Sequence, residues 1–218
     1  MARRLLGRGR VNDVYEIDET WVLRRNREGW GDALAEGTVM EHVRAHGYPV
    51  PRVRLCDSTP TELVMERLSG PTMLEARLAG SLGADEAGAI LADLLRRLHA
   101  VPARDSAADC RVLHLDLHPD NVMLTPEGPY VIDWTNTEEG LPGLDWGVSA
   151  MILAQVAVGG APLADSARAI LTALLADPSA LTDDGLTQAR RRRAANPTMS
   201  RREVELLGKA EELIRTIA

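Results

Sequence analysis

The stretch His114-Leu115-Asp116-Leu117-His118-Pro119-Asp120-Asn121, followed ten residues on by Val131-Ile132-Asp133-Trp134, decides how this chain is read. An aspartate, an asparagine five residues later and a second aspartate after a short apolar run can converge at one metal-nucleotide site. Phosphoryl transfer needs such a set: one carboxylate to orient and deprotonate an attacking hydroxyl, and oxygen ligands to hold Mg²⁺ against the phosphates. Mg²⁺ keeps waters and phosphate oxygens for most of its shell, so one Asp and one Asn suffice from the protein. H-x-D-x-x-x-x-N with a following apolar-apolar-D is far more specific than any lone triplet. The bland alternative, a turn aspartate, a loop asparagine and a surface acid, leaves the joint spacing unexplained.

Working outward, two textures divide the chain. Residues 1–68 are rich in short β-prone runs, Val14–Ile17, Trp21–Arg24, Val53–Leu55 and Leu63–Met65, around one helical stretch from Ala33 to Ala45 that Gly47 and Pro49 end. Residues 69–218 are mostly helical: Asp85–Val101 with one apolar face, Leu144–Val158, Ala164–Leu175 and Ser200–Ile217, the last opened by a Ser200/Glu203 capping box. The segment Leu113–Ile132 returns to short strands and turns. This layout predicts an α+β chain with a small β-rich N-lobe, a connector near Glu66–Pro71 and a larger helical C-lobe.

Around this core the sequence resembles the aminoglycoside phosphotransferase family, small-molecule kinases with a bilobal protein-kinase-like fold. LLGRGRVNDVYEI (5–17) is similar to a glycine-rich loop, WVLRR to the strand carrying the phosphate-binding cation, and GYPVPRV and LVMERLSG to lobe-connecting segments. LLRRLHAVP, HLDLHPDNVML, VIDWTN and GLPGLDWG complete the series in the family's order, over roughly Leu5–Ala150. The resemblance implies Asp116 as catalytic base, with Asn121 and Asp133 as Mg²⁺ ligands. It also implies Gly7 and Gly9 over the nucleotide, Arg24 as phosphate-binding cation and Glu36 as its helix partner, with Glu41 as fallback. Backbone groups of Glu66 and Leu68 would hold the adenine with Met65 behind it, and Asp145 would brace the catalytic loop. ATP or GTP with Mg²⁺ would be the cofactors, and a small molecule bearing a hydroxyl the acceptor, an aminoglycoside-like antibiotic among the candidates. Two departures stand out: an arginine fork replaces a lysine point charge at position 24, and Asn12-Asp13 replace the third glycine, bringing a carboxylate toward the phosphates.

Composition narrows the alternatives. With 32 acids against 25 bases, net charge -7 and only 3% aromatic residues, the 218-residue chain does not suit general nucleic-acid, stacking or anionic-membrane binding. Cys56 and Cys110 make no disulfide framework, and the first residues carry no apolar run, so a reduced cytoplasmic protein is expected. The apolar stretch Val148–Ala164 is too short and broken to span a bilayer and reads as a buried helix.

Other readings stay open at this level. His114, Asp116 and His118 at alternate positions could ligate zinc from one face of a strand, making a metallohydrolase. A catalytically silent kinase-like nucleotide binder is a second. A nucleic-acid binder using Arg190–Arg193 is a third, against the reading of that run as a helix end. His114 is expected to hold the catalytic loop, and His118 to be a loop residue or touch substrate. Glu138-Glu139 could face a cationic substrate or form a solvated turn, and Asp183-Asp184 share that ambiguity.

Overall fold

The turn between the first two long strands shows how the sequence writes its own geometry. Asp18 Oδ1 accepts from the amides of Thr20 (2.7 Å) and Trp21 (2.8 Å), so the side chain closes an Asx turn. The protein, a computed structural model, is described at residues 3–9, 12–27, 31–105, 107–160, 162–197 and 199–218. Along it run β1 (Leu5–Arg8), β2 (Asn12–Glu16), β3 (Trp21–Asn26), α1 (Ala33–Ala45), β4 (Glu62–Glu66), α2 (Met73–Leu78) and α3 (Ala84–His99). Then follow β5 (Arg111–Leu113), β6 (Val122–Thr125), β7 (Gly128–Val131), β8 (Glu138–Gly140), α4 (Pro142–Val158), α5 (Ala164–Leu174), α6 (Asp183–Ala195) and α7 (Arg201–Ile217).

The chain separates into two compact units, Met1–Gly70 with Met123–Thr137, and Pro71–Val122 with Glu138–Ala218. In the first, β1-β2-β3-β4 form an antiparallel sheet in that order. The two-residue period of β3 puts Trp21 and Leu23 on one face, buried with Val64 and covered by Tyr15 and Ile17. Val22 and Arg24 point to the other. Helix α1 starts where Asp32 accepts from the amides of Leu34 and Ala35, and buries a stripe of Glu36, Val39, Met40 and Val43. A carboxylate on an apolar stripe demands a partner.

The strand expected at Val53–Leu55 is a correction. Only Val53 bridges to Met65, and Leu55–Asp57 winds into a 3₁₀ turn. Ser58 drives this, its hydroxyl bonding Arg54 O (2.8 Å) and taking the Val64 amide (2.9 Å), which bends the run away from β4.

In the second unit α4 is the axis. Twelve of its residues are buried, Asp145, Trp146 and Ser149 among them, and it packs against α5, α6 and α7. This is the buried helix expected over the apolar stretch, and no described helix is long and apolar enough to cross a membrane. The capping box at Ser200 and Glu203 is present. Helix α2 was not expected, having six residues, too few for a period, and of the charge-dominated α6 only the end at Arg190–Arg193 was.

Helices α4 and α6 meet through glycine. A methyl added at Gly185 would lie 2.3 Å from the backbone carbonyl of Gly143. Gly185→Ala therefore forces the helices apart, with an expected loss of about 1–3 kcal/mol. Urea unfolding checks this, and an unchanged midpoint would show that the crossing tolerates the methyl.

Candidate active site

The residues singled out in the sequence fall into two groups, one in each unit. In the second unit the candidate catalytic segment begins where β5 stops at Leu113. His114 is fully buried, and Leu115 takes a left-handed backbone, φ 61°, which a leucine rarely adopts. The anchor is Asp145 in the first turn of α4. It is wholly buried and accepts from the amides of His114 (2.9 Å) and Leu115 (2.8 Å) and from His99 Nε2 (3.0 Å). Burial alone would push its carboxyl up, but the bond and charge of His99 and the His114 amide hold it below the ordinary carboxylate value. The brace expected of Asp145 is thus a pair of backbone bonds just upstream of Asp116.

The next amide, that of Asp116, donates to His114 Nδ1 (3.3 Å). The carboxylate of Asp116 is about one quarter exposed, at 27%. A 3₁₀ turn over Pro119–Asn121 follows, capped by His118, whose Nδ1 takes the Asp120 amide (3.3 Å). The turn brings Asn121 back so that its Nδ2 donates to Asp116 O (2.9 Å) and reaches Oδ2 (3.4 Å). His118 Nε2 stands 3.3 Å from that nitrogen and 3.8 Å from Asp116 Oδ1. With its nitrogen facing these acceptors, Asn121 turns its amide oxygen the other way.

These facts correct the zinc reading. His114, Asp116 and His118 do not share a strand face, because the strand ends before them and the left-handed Leu115 breaks the alternation. His114 is buried with Nδ1 engaged, and among the described residues no three His, Cys, Asp or Glu side chains form a group that could hold a metal.

In the first unit, Arg24 on β3 pairs through one guanidinium nitrogen with Glu36 of α1, and its other nitrogen lies 3.7 Å from Asp133 Oδ1. Glu36 also accepts the Trp134 amide (3.1 Å), so one buried carboxylate joins β3, α1 and the residue after Asp133. Burial pushes the Glu36 carboxyl above its ordinary value, against the pull of Arg24 and that amide. Glu41, the fallback partner, is exposed. Asp133 is itself left-handed, φ 62°, and half exposed, with Oδ1 taking the Thr135 hydroxyl (2.8 Å). Asp is among the few residues that enter this region readily.

Of the glycine-rich segment, Arg10 and Val11 lie outside the described residues. Gly7 sits on exposed β1, and Gly9 closes a turn by donating its amide to Asn12 O (2.8 Å). Asp13 is buried and meets Arg8 (3.3 Å), Arg27 (3.1 Å) and the Tyr15 hydroxyl (3.3 Å). Arg27 also donates to Gly9 O (2.8 Å), so the carboxylate that stands in for a glycine is neutralised locally. At the connector, the Glu66 amide bonds Arg52 O (2.8 Å) and its side chain pairs with Arg52, while Leu68 is half-buried.

The other charged runs have partners. Glu138 pairs with Arg192 (2.8 Å) and Glu139 with Arg104 (3.2 Å); Arg190 meets Glu211 (2.7 Å), and Arg193 Nε donates to Gln155 Oε1 (2.6 Å). Arg192 and Arg193 occupy the last turn of α6, the helix-end placement the sequence suggested. Two residues that bond to the candidate site segments went unassigned in the sequence: Arg27, and His99 within LLRRLHAVP. Neither carries a local signal, since each acts on residues distant in the chain.

Comparison with known proteins follows this geometry. The chain matches the family described as "APH: Phosphotransferase enzyme family" over residues 3–111 and 103–182. No curated protein sequence gives a significant match. Among solved structures, the aminoglycoside phosphotransferase APH(2")-IIa in complex with gentamicin superposes with TM-score 0.58 at 14% identity, covering 98% of this chain and 91% of that one. ADP-bound APH(2'')-Ib gives TM-score 0.55 at 14% identity over 99% and 93%, and APH(4)-Ia 0.54 at 13% over 100% and 94%. At this identity the likeness is one of fold: a kinase-like α+β architecture.

Proposed function

The chain belongs to the phosphotransferase enzyme family, and from that premise we propose that it moves the terminal phosphoryl group of ATP or GTP onto a hydroxyl of a small polar molecule. The bond of Asn121 Nδ2 to Asp116 O carries this reading, because it ties a carboxylate and an amide oxygen into one rigid turn. Asp116 is the base: it orients the acceptor hydroxyl and takes its proton as the oxygen attacks the γ-phosphorus, while the bond to the bridging oxygen breaks and the nucleoside diphosphate leaves. Arg24, fixed by Glu36, presents its guanidinium to phosphate oxygens, and a planar fork in place of an ammonium suits that task. Gly7 and Gly9 lie over the nucleotide, and backbone groups of Glu66 and Leu68 hold the base. As the Glu66 amide already bonds Arg52 O, its carbonyl is the group offered there.

Asn121 and Asp133 would hold Mg²⁺, which would supply charge neutralisation at the phosphates. The donor set fits that ion: two hard oxygen donors and no thiolate or free imidazole. Nucleotide binding falls to residues 1–68 with Asp133, and acceptor binding to residues 69–218. The unpaired Cys56 and Cys110 suit a cytoplasmic enzyme.

For the acceptor, an aminoglycoside-like polycation is the first candidate. The related structures with gentamicin or streptomycin and the acid excess support it. The test is incubation with Mg²⁺ and γ-labelled ATP or GTP against a panel of aminoglycosides, sugars and amino alcohols, with products read by mass. A gain of one phosphoryl group on one class identifies the acceptor. Labelled phosphate reaching none of them, with no hydrolysis, would sink the reading.

A further inference from the structure

The register of the first sheet decides which way the carboxylate in place of the third glycine points. Asn12 stands opposite Asn26, Asp13 opposite Arg25 and Val14 opposite Arg24. Paired residues share a face and neighbours alternate, so Asn12 and Val14 lie on the face of Arg24, and Asp13 and Tyr15 on the other. The contacts agree: the Tyr15 hydroxyl donates to Asp13 Oδ2 (3.3 Å), and the Arg25 guanidinium lies 5.3 Å from the Tyr15 ring centre. Asp13 therefore turns away from the face of Arg24, the reverse of the expectation from the loop sequence.

On that outer face Asp13 is a buried anchor, and a buried carboxylate requires partners. Arg27 is the partner that also reaches the loop. Its Nη1 donates to Asp13 Oδ1 (3.1 Å) and its Nη2 to Gly9 O (2.8 Å). Arg8, across the hairpin from Asp13, adds a longer contact (3.3 Å) from a largely exposed side chain. The Gly9 amide is engaged by Asn12 O, so both backbone groups of Gly9 are held. Arg27 follows the last residue of β3, the strand that carries Arg24. One short piece of chain thus bears both the cation proposed for the phosphates and the clamp on the loop proposed to cover them.

We infer that Arg27 is a positioning residue for nucleotide binding: its guanidinium fork, seated on Asp13, fixes Gly9 relative to Arg24 from the opposite face of the sheet. The consequence for nucleotide rests on the phosphotransferase reading, and the clamp itself does not. Two oxygens are met at once by a rigid planar fork, which an ammonium on a flexible stem cannot reproduce. Asp13 serves as an acceptor on which the fork rests, and an amide oxygen at that position can do the same.

The full chain is compared as wild type, Arg27→Ala, Arg27→Lys and Asp13→Asn. The Arg27 side chain is 35% exposed, so its variants are expected to fold. Dissociation constants are read for ATP with Mg²⁺ and for adenosine, which carries no phosphate, together with hydrogen exchange at the Gly9 amide of the free protein. A loop only partly in its binding shape weakens the ligand by that fraction, and losing a charge-assisted hydrogen bond shifts such an equilibrium on the order of 10-fold. Arg27→Ala should weaken ATP by that order, leave adenosine unchanged and accelerate exchange at Gly9. Arg27→Lys should resemble Arg27→Ala, and Asp13→Asn should resemble wild type.

Full ATP affinity in Arg27→Lys would show that charge alone matters, and that result overturns the inference. So does an equal loss of ATP and adenosine affinity, the mark of a merely structural arginine, or unchanged Gly9 exchange in Arg27→Ala. A wild type that binds no nucleotide, with Gly9 protection still lost in Arg27→Ala, overturns the phosphotransferase reading and with it the effect on ATP, while the clamp stands.

Discussion

Asp116→Asn lowers phosphoryl transfer by about 10²–10⁴-fold, the range general acid–base catalysis contributes, while nucleotide affinity stays at the wild-type level. The substitution is nearly isosteric. The bond that shapes the loop, Asn121 Nδ2 to Asp116, ends on the backbone carbonyl at 2.9 Å and survives the change. The His114 contact to the Asp116 amide survives too. What is lost is the carboxylate that, in the proposed reaction, orients the acceptor hydroxyl and receives its proton. Single-turnover transfer, with nucleotide affinity measured by titration on the same preparations, separates the two effects. A variant that transfers at the wild-type rate would remove Asp116 from the role of base, and a variant that no longer binds nucleotide would show that its part is structural.

The second large effect is on stability. Asp145→Ala is expected to destabilise the protein by about 3–5 kcal/mol, the range for removing one member of a buried charged pair. Two buried amides and His99 lose their acceptor at once, and each unsatisfied buried group carries its own desolvation penalty of about 1–3 kcal/mol. Such a loss is a large share of the roughly 5–15 kcal/mol that holds a domain folded. The pH dependence has a definite sign. The folded-state value of the Asp145 carboxyl is depressed below its ordinary 3.8, so the folded protein binds that proton more weakly than the unfolded chain. Its contribution is complete above pH 3.8 and is lost as pH falls from there through the folded-state value. Denaturant unfolding of wild type and Asp145→Asn at pH 7 and at successive steps below 4 checks this. The gap between them should be widest at neutral pH and narrow as the medium is acidified, and a gap that widens with acid would contradict the assignment.

How far the sequence could be read depends on how local each signal is. Helix α1 was legible because the apolar spacing, Gly47 and Pro49 all lie within one short window, while its Asp32 cap went unread. The five-residue interval from Asp116 to Asn121 was legible because a single turn spans it. Glu36 was found through the family resemblance, yet its bond to the Trp134 amide, 98 positions away, left no trace in either segment. His99 illustrates the same limit: its partner Asp145 is 46 positions off, and a histidine ending an apolar helix gives no hint of it. The left-handed turn at Leu115 was unreadable because leucine does not favour it; only the Asp145 anchor does. The strand expected at Val53–Leu55 failed because β propensity counts side chains, whereas Ser58 decided the local backbone by its own hydrogen bonds. Of helix α6 only the basic end was legible, because charge dominates its sequence and its close approach to α4 at Gly185 leaves no periodic signal.

The central claim is that this chain binds a magnesium nucleotide through Asp133. Thermal unfolding of wild type and Asp133→Ala with ATP alone, Mg²⁺ alone and both together tests it most directly. Asp133 is half exposed, but its left-handed backbone strains an alanine there, so the rise in each protein is read from that protein's own unliganded midpoint. At 100 times the dissociation constant a native-state ligand adds about 2.7 kcal/mol, which for a chain of this size raises the midpoint by roughly 5–10 °C. The account predicts that rise for wild type only when ATP and Mg²⁺ are present together, and its loss in Asp133→Ala. A rise of equal size in both proteins, or none in either, would contradict it.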